Sequence, residues 1–390
     1  MKQNRIKICA LTVLAALFLS LPVIPVSVPE SGAFPIWDER DAPTDVSDGF
    51  GVNAECAFLT ETDSGAVLLA QNADSRHGMA STTKIMTAIL AIELLPPEQT
   101  VGITRDMVGV EGSSIYLTEG ESLTVRQLLY GLMLESGNDA AVALAIAAAG
   151  SVERFVRLMN VKAALLGCAN TSFANPHGLS AKGHYTTARE LGEITAYALR
   201  NGLFREIVST YSARIPYRGI ENGRALVNHN PILRSYDGMF GVKTGWTTAD
   251  GKCFVTAAER NGMTLVAVTL GDTNLSVTHR AMLDHGFSAY EMVSPEECAL
   301  SLPQVGGEKP FVGVVPGKLP AFCLPKGGRV ETQVEAAPFV YAGTPRGEAV
   351  GRIVFLWNGK QIGQTALYCA EDTRVKRISF WKKVFGSHHG

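Results

Sequence analysis

The strongest constraint on this chain is the stretch MASTTKIMTAILAIELL, residues 79–95, in which polar residues lead into a long apolar run. After Lys84, apolar residues fall on every side of a helical projection, and this pattern predicts a helix that is buried all round. Such a helix needs other elements packed on each of its faces, so the chain must build a substantial core. Ser81 stands at the head of the helix, with Lys84 one turn behind it. The pair is either a capping serine with a surface lysine or a nucleophile with its base.

Length and composition limit the class of protein. A chain of 390 residues exceeds one ordinary core and predicts two domains. Hydrophobic residues make up 46% of the chain and charged residues 18%, which excludes global disorder. The formal net charge of −2 gives no indication of nucleic-acid binding.

Residues 1–33 have the pattern of a secretory signal peptide. Positive charges in MKQNRIK precede the apolar run ICALTVLAALFLSL, and the small residues SGA, ending at Ala33, offer a cleavage site. The apolar run is shorter than the roughly 20 residues that a spanning helix needs. We therefore expect an exported protein that works outside the cytoplasmic membrane.

Cysteine usage leaves two possibilities open. Of the seven cysteines, six lie beyond residue 33, and an even number in an exported chain permits disulfides. The spacings are wide and contain no C-x-x-C pair, so buried free thiols are at least as compatible with the sequence.

The order of elements along the chain predicts the fold class. Two short strands flank the turn Asp63–Gly65, several helices follow, and strands return with a hairpin at Asn261–Gly262. This order predicts an α/β (α+β) domain over 34–300, in which an antiparallel sheet packs against a helical cluster. The Pro- and Gly-rich composition of 305–371, with two strands around Asn358–Gly359, predicts a small, separate all-β domain.

Three polar stretches interrupt the buried pattern and carry the candidate chemistry. They are Ser81–Lys84, Ser136–Asn138 and Lys243–Gly245. Positions i and i+3 of a helix share one face, about 5–6 Å apart, so the Lys84 amine can reach the Ser81 hydroxyl. A lysine acts as a base only when it is neutral, and burial beside a cation such as Lys243 lowers its pKa. The start of a helix also favours an oxyanion next to the serine.

These stretches have the form S-x-x-K, S-x-N and K-T-G, a set typical of penicillin-binding proteins and class A β-lactamases. With the segments MASTTKIMTA, YGLMLESGNDAAVALA, FANPHGL and DGMFGVKTGWT, the chain resembles D-alanyl-D-alanine carboxypeptidases of the low-molecular-mass penicillin-binding protein family, the S11 serine peptidases. The resemblance extends from about Ala54 to Phe287 and continues more weakly beyond. It implies a serine β-lactamase/transpeptidase-like fold and a hydrolase that removes the terminal D-alanine from peptidoglycan stem peptides without a cofactor or metal.

The resemblance also implies roles for the first two stretches. Ser81 is the nucleophile and Lys84 is its base. Ser136 relays a proton between Lys84 and the leaving nitrogen, and Asn138 fixes Lys84 and the substrate amide. Asn138 is in addition expected to cap the helix that follows it. His177, in NPHGL, is expected to be structural, because the base is already assigned.

The third stretch is expected to bind substrate. A cation at Lys243 and a hydroxyl at Thr244 can hold the terminal carboxylate of a peptide, and Gly245 lets the substrate backbone approach closely. The resemblance places the oxyanion hole at the backbone N–H groups of Ser81 and Trp246. Some family members also use an arginine after the next strands, but LGDTNLSVTHR has none immediately after its glycine, so carboxylate binding is expected to depend more on Lys243 and Thr244.

Two alternative functions stay open. A class A β-lactamase would form the same acyl-serine, but it needs a glutamate that activates the deacylating water. The segment CANTSFANPHGLSAKGHYTT, between the second and third stretches, contains no glutamate. A catalytically silent module that binds cell-wall peptides would not need to keep both Ser81 and Lys84.

The predicted partners follow from this function. They are stem peptides ending in D-Ala-D-Ala, β-lactam antibiotics as covalent inhibitors, and a membrane surface, with no nucleic acid. The segment RVKRISFWKKVF, residues 374–385, predicts a cationic amphipathic helix that lies on an anionic membrane surface. We therefore expect the enzyme at the outer face of the cytoplasmic membrane or in the cell wall.

Overall fold

A computed structural model describes residues 50–296 and 299–376 of the chain. The predicted signal peptide lies outside these residues, as does Cys298. Strands of the first part are β1 (Ala54–Glu61), β2 (Val67–Gln71), β3 (Thr100–Gly102), β4 (Ser122–Thr124), β5 (Ser212–Tyr217), β6 (Ile220–Val227), β7 (Met239–Thr247), β8 (Gly251–Arg260), β9 (Met263–Asp272) and β10 (Tyr290–Val293). Its helices are α1 (Lys84–Leu94), α2 (Val125–Leu134), α3 (Asn138–Ala149), α4 (Val152–Leu165), α5 (Ala188–Leu199), α6 (Gly202–Ser209) and α7 (Leu275–Ala289).

A five-stranded antiparallel sheet in the order β2-β1-β9-β8-β7 organises the first part. The predicted hairpin at Asn261–Gly262 joins β8 to β9, and both turn residues have positive φ, 51° and 76°, as a type I′ turn requires. Strand β7 lies at the edge of the sheet, so one side of its backbone is open to a ligand. The predicted antiparallel sheet packed against helices is confirmed.

Helix α1 lies inside the helical cluster on one face of this sheet. From Lys84 to Ala91 every one of its residues is buried, as the apolar pattern predicts. Its apolar side chains join one continuous core with α2, α3, α5 and the inward face of β8 and β9. Two short 3₁₀ turns, Ala80–Thr83 and Arg105–Met107, occur in this part, and the first leads directly into α1.

The second part of the described chain is built almost entirely of strands. They are β11 (Leu300–Val305), β12 (Phe311–Pro316), β13 (Phe322–Pro325), β14 (Glu331–Ala336), β15 (Val340–Tyr341), β16 (Ala349–Trp357) and β17 (Lys360–Cys369). Six of them form one sheet in the order β14-β16-β17-β12-β11-β15, with its own core around Ile353, Phe355 and Leu367. Strand β13 leaves this sheet and pairs with β10. The predicted all-β character of this region is therefore confirmed.

Several features differ from the sequence-based expectations or decide between them. The hairpin β5–β6 and the eight-residue helix α6 were not predicted from the sequence. Residues 374–376, where the amphipathic helix was predicted to begin, are not helical, since Val375 forms a β-bridge with Gly307. The remainder of that predicted helix lies outside the described residues.

The five described cysteines beyond residue 50 are buried free thiols.

None of the helices in the described residues combines the length and the apolar character that crossing a bilayer demands.

One buried histidine gives a testable pH dependence of stability. His279 on α7 is fully buried against Phe254, with its two ring nitrogens 2.8 Å from the hydroxyls of Thr256 and Thr269. Burial lowers the pKa of His279 to about 3, so the folded protein keeps the ring neutral. In the unfolded chain the pKa is about 6.5, so below that pH the unfolded state binds one more proton than the folded state. Stability is therefore lost as pH falls through this range.

We predict that His279→Gln weakens this pH dependence. Between pH 7 and pH 5 the free energy of unfolding of the wild type should fall by about 2 kcal/mol more than that of the variant, because only the wild type carries this proton uptake. Urea denaturation at the two pH values measures the difference. Parallel losses in the two proteins would contradict the assignment.

Candidate active site

The turn that carries Ser81 is a 3₁₀ turn directly in front of α1. Its hydroxyls are turned inward, as Thr82 Oγ1 donates to the Met79 carbonyl and Thr83 Oγ1 to the Ala80 carbonyl. These bonds stabilise the tight turn. Lys84 is the first residue of α1, and its side chain is directed back toward the turn. Lys84 Nζ lies 3.0 Å from Ser81 Oγ, so the structure places the two side chains together as their i, i+3 spacing predicts.

The surroundings of the Lys84 amine define its hydrogen-bonding state. Nζ donates to Asn138 Oδ1 at 2.7 Å and to the His177 carbonyl at 2.6 Å. Both partners are carbonyl oxygens, which can only accept hydrogen bonds. The Asn138 amide presents its oxygen to Lys84 because its Nδ2 donates to the Glu111 carbonyl. A neutral amine has two N–H groups and one lone pair. When the two N–H groups serve these acceptors, the lone pair is directed at Ser81 Oγ.

Burial and charge both favour that neutral amine. Lys84 is fully buried, and the desolvation this causes lowers its pKa well below the usual value. The positive charge of Lys243 lowers the pKa further, whereas the Asp139 carboxylate opposes the shift. The Asp139 carboxylate is itself occupied by Ser114 Oγ at 2.6 Å and by the backbone N–H of Leu117 at 2.9 Å. Asp139 thus anchors the loop before α2.

The second polar stretch forms the tight loop between α2 and α3. Ser136 has a φ of +60° and is buried, and its hydroxyl has no hydrogen-bond partner among the described residues. The expectation that Asn138 caps α3 is wrong. Gly137 is the N-cap and Asn138 is the first helical residue, because its side chain is already committed to Lys84 and the Glu111 carbonyl.

Edge strand β7 presents the third polar stretch. Lys243 is buried, and its Nζ donates to the Thr244 carbonyl at 2.9 Å. Burial lowers the pKa of Lys243 to about 7, although the Glu135 carboxylate raises it in part. The side chain of Trp246 is 65% exposed at the end of the strand. Gly245 packs so closely on the turn that carries Ser81 that a Cβ there would lie 2.8 Å from the Ser81 nitrogen.

A loop around residues 175–179 closes the site from the other side. Asn175 holds it, accepting from the Gly178 N–H at 2.7 Å and donating to the Leu179 carbonyl at 2.7 Å. Burial lowers the pKa of the His177 ring to about 4, so the ring is neutral. The backbone of His177 contacts Lys84 directly, which a motif based on side chains could not predict. The Pro-His-Gly sequence, typical of a tight turn, was the available signal.

The arrangement is suited to nucleophilic attack on a carbonyl group. The Ser81 hydroxyl lies 3.0 Å from an amine whose pKa is lowered, and a second lysine, Lys243, lies on the edge strand, where it can bind a negatively charged substrate group. Among residues 50–296 and 299–376, no group of three His, Cys, Asp or Glu side chains is placed to hold a metal ion.

Solved structures place this fold in a known class of enzymes. The chain is similar to penicillin-binding protein 5 from Haemophilus influenzae, with a TM-score of 0.72 and 28% identity over 83% of this chain and 98% of that one. It is also similar to the Streptomyces K15 DD-transpeptidase, with a TM-score of 0.58 and 34% identity over 61% of this chain and 98% of that one. The fold is therefore that of the penicillin-binding serine peptidases.

Sequence comparison identifies the family within that class. The family model for D-alanyl-D-alanine carboxypeptidases, Peptidase_S11, matches residues 42–274. D-alanyl-D-alanine carboxypeptidase DacF of Bacillus subtilis is 32% identical over 85% of this chain and 89% of its own length. DacC of Escherichia coli is 32% identical over 86% and 87%, respectively. The chain belongs to the S11 family and is a serine-type D-Ala-D-Ala carboxypeptidase, as the sequence resemblance implied.

Gly178 offers a test of the packing around the nucleophile. It has a φ of +92°, and a Cβ on it would lie 1.9 Å from the Ala80 carbonyl oxygen. Gly183 has a similar φ of +81° but no atom within 4 Å of such a Cβ. We predict that Gly178→Ala lowers kcat/KM on a D-Ala-D-Ala peptide by about 100-fold, because the turn carrying Ser81 must shift.

Gly183→Ala is the matched control, because it carries the same backbone strain without the clash. It should keep kcat/KM within about threefold of the wild type, and any loss of thermal stability should come from the backbone conformation alone. Equal rates in the two variants would show that the close contact with the nucleophile turn does not matter.

Proposed function

We propose that Ser81 cleaves the bond between the two terminal D-alanines of a peptidoglycan stem peptide through an acyl-serine intermediate. The observation that carries this proposal is the Lys84 amine, which lies 3.0 Å from Ser81 Oγ and has two further fixed acceptors, Asn138 Oδ1 and the His177 carbonyl. A neutral amine whose two N–H groups serve these acceptors has its lone pair left for the Ser81 hydroxyl. Burial of the amine and, in addition, the nearby Lys243 charge lower its pKa and so favour the neutral form. The site thus contains a base before substrate binds.

In the first step Ser81 Oγ attacks the carbonyl carbon and the Lys84 lone pair takes the hydroxyl proton. The backbone N–H groups of Ser81 and Trp246 would hold the oxyanion that forms. When the C–N bond breaks, the proton passes from Lys84 through Ser136 to the leaving nitrogen. The unpartnered hydroxyl of Ser136 supports this relay, since a buried O–H without a partner is costly unless it has a function. Water then hydrolyses the acyl-enzyme.

Substrate selection would rest on the terminal carboxylate. Lys243 supplies a buried cation beside Thr244, and a substrate strand could run antiparallel to the open edge of β7. A β-lactam presents a strained amide next to a carboxylate, so the same groups would accept it and form a stable acyl-enzyme. Such a substrate and inhibitor are met outside the cytoplasmic membrane, which agrees with the predicted export.

We also propose that residues 34–300 form the catalytic domain and residues 305–371 an accessory β domain. All proposed site residues lie between Ser81 and Trp246, and the family match ends at residue 274. The strands from Leu300 onward have a separate core, which supports a unit that does not take part in the chemistry.

Penicillin labelling tests the acyl-serine. We expect the wild type to gain the mass of one intact penicillin on the peptide that contains Ser81, and the adduct to persist for minutes or longer as an order of magnitude. Ser81→Ala should not be labelled, whereas Ser209→Ala, which removes an exposed hydroxyl, should be labelled like the wild type. Labelling of Ser81→Ala would refute the nucleophile, and rapid sustained turnover of penicillin would favour a β-lactamase.

The role of Lys243 predicts a pH dependence. The pKa of the free enzyme's Lys243 is lowered to about 7, so its positive charge is present below that pH and lost above it. We expect kcat/KM for a peptide with a free carboxylate to fall about tenfold per pH unit above pH 7 relative to the amidated peptide.

Lys243→Ala should abolish the preference for the free carboxylate over the amide at every pH. Lys252→Ala, on the neighbouring strand and exposed, is the control and should keep the preference. If Lys243→Ala discriminates between acid and amide as well as the wild type does, the carboxylate is held elsewhere.

A further inference from the structure

The residue in front of the nucleophile has an unusual backbone conformation. Ala80 is fully buried and has a φ of +45°, in the left-handed region that alanine rarely adopts. Such a conformation persists only where neighbouring groups enforce it. The peptide group between Ala80 and Ser81 is planar, so its carbonyl and the Ser81 N–H are fixed to each other and point in opposite directions. Whatever holds the Ala80 carbonyl therefore also aims the Ser81 N–H.

A chain of hydrogen bonds ends on that carbonyl. Thr83 Oγ1 donates its single proton to the Ala80 oxygen at 2.8 Å. His184 Nε2 lies 2.8 Å from the same hydroxyl and must donate to it, because the hydroxyl has no second proton. His184 Nδ1 accepts from the Ala174 N–H at 3.0 Å, which requires this same tautomer. Burial lowers the pKa of His184 to about 4, in agreement with a neutral ring.

Asp250 holds the other side of Ala80. Its Oδ2 accepts from the Ala80 N–H at 3.2 Å and from Ser180 Oγ at 3.4 Å. Its own N–H donates to Thr247 Oγ1 at 2.9 Å, which fixes it to the end of β7. The fit against the turn is close, since a Cβ on Gly78 would lie 2.1 Å from Asp250 Oδ1. Asp250 thus connects the turn that carries Ser81 to Ser180 on one side and to the end of β7 on the other.

We propose that Asp250 and the Thr83–His184 pair are positioning residues for acyl transfer. Asp250 binds the Ala80 N–H, and the Thr83–His184 pair binds the Ala80 carbonyl. Together they orient the Ser81 N–H into the site as an oxyanion donor. None of the three side chains has to touch the reacting atoms. The inference rests on the proposed acyl-serine mechanism and adds to it the groups that orient one half of the oxyanion hole.

The mechanism predicts which kinetic constant changes. An oxyanion donor acts in the transition state and not on the bound substrate, so its misalignment lowers the acylation rate constant and leaves the dissociation constant unchanged. Loss of a whole oxyanion-hole donor lowers rates by about 10²–10³. A donor that remains but is poorly aimed should cost about tenfold or more.

Stopped-flow acylation of the full chain by a chromogenic cephalosporin separates the two constants. We expect Thr83→Val and Asp250→Ala to lower the acylation rate constant at least tenfold, with the dissociation constant of the cephalosporin within about twofold of the wild type. Thr83→Ser and Asp250→Asn keep the hydroxyl and the acceptor oxygen, so each should recover most of the rate.

Two controls match these substitutions. Thr195→Val removes a buried threonine hydroxyl that donates to the Leu191 carbonyl within α5, away from the site, and should acylate like the wild type. Asp237→Ala removes a carboxylate whose side chain is 91% exposed and should do the same.

Three results would overturn the proposal. Acylation at the wild-type rate by both Thr83→Val and Asp250→Ala would do so, and so would an equal loss in Thr195→Val. Failure of both Thr83→Ser and Asp250→Asn to recover the rate, in folded protein, would also exclude it. A wild type that is not acylated on Ser81 would instead refute the proposed function, so the two failures are distinguishable.

Discussion

Burial of the Lys84 amine is the constraint on which the rest of the site depends. An ammonium group in a dry core is very costly, whereas a neutral amine with satisfied N–H groups is not. The fold supplies two acceptors, from Asn138 and from the His177 backbone, and it places the charge of Lys243 nearby. These groups come from three distant parts of the chain. The α1 helix, buried on every side, holds the amine where they meet.

Close packing of backbone segments also fixes the position of Ser81. The turn with Ser81 lies between edge strand β7 and the loop around residues 175–179, and glycines at positions 178 and 245 leave no room for a side chain. Interiors of this density do not deform continuously, so small shifts in either wall would move the serine. Strand β7 is at the edge of the sheet, so backbone groups on its outer side are available to a ligand.

Much of the fold and the motif residues could be predicted because their signals are local. The period of α1, the positive-φ pair Asn261–Gly262 and the i, i+3 spacing of Ser81 and Lys84 each depend on residues close together in sequence. The hairpin β5–β6 was not predicted. The contacts of Asp139 and Asp250 were not predicted either, because a single carboxylate has no local sequence pattern. Its function depends on which backbone N–H groups face it.

The sequence by itself determined the buried helix, the antiparallel sheet, the strand-rich second part and the three stretches that identify the family. It did so because side-chain periodicity and turn chemistry act over a few residues. Only the tertiary structure decided that Asn138 contacts Lys84 without also capping α3, and that the His177 carbonyl is a further partner of the lysine. Those contacts join residues more than fifty positions apart, and no local rule governs which distant groups a folded backbone brings within hydrogen-bonding distance.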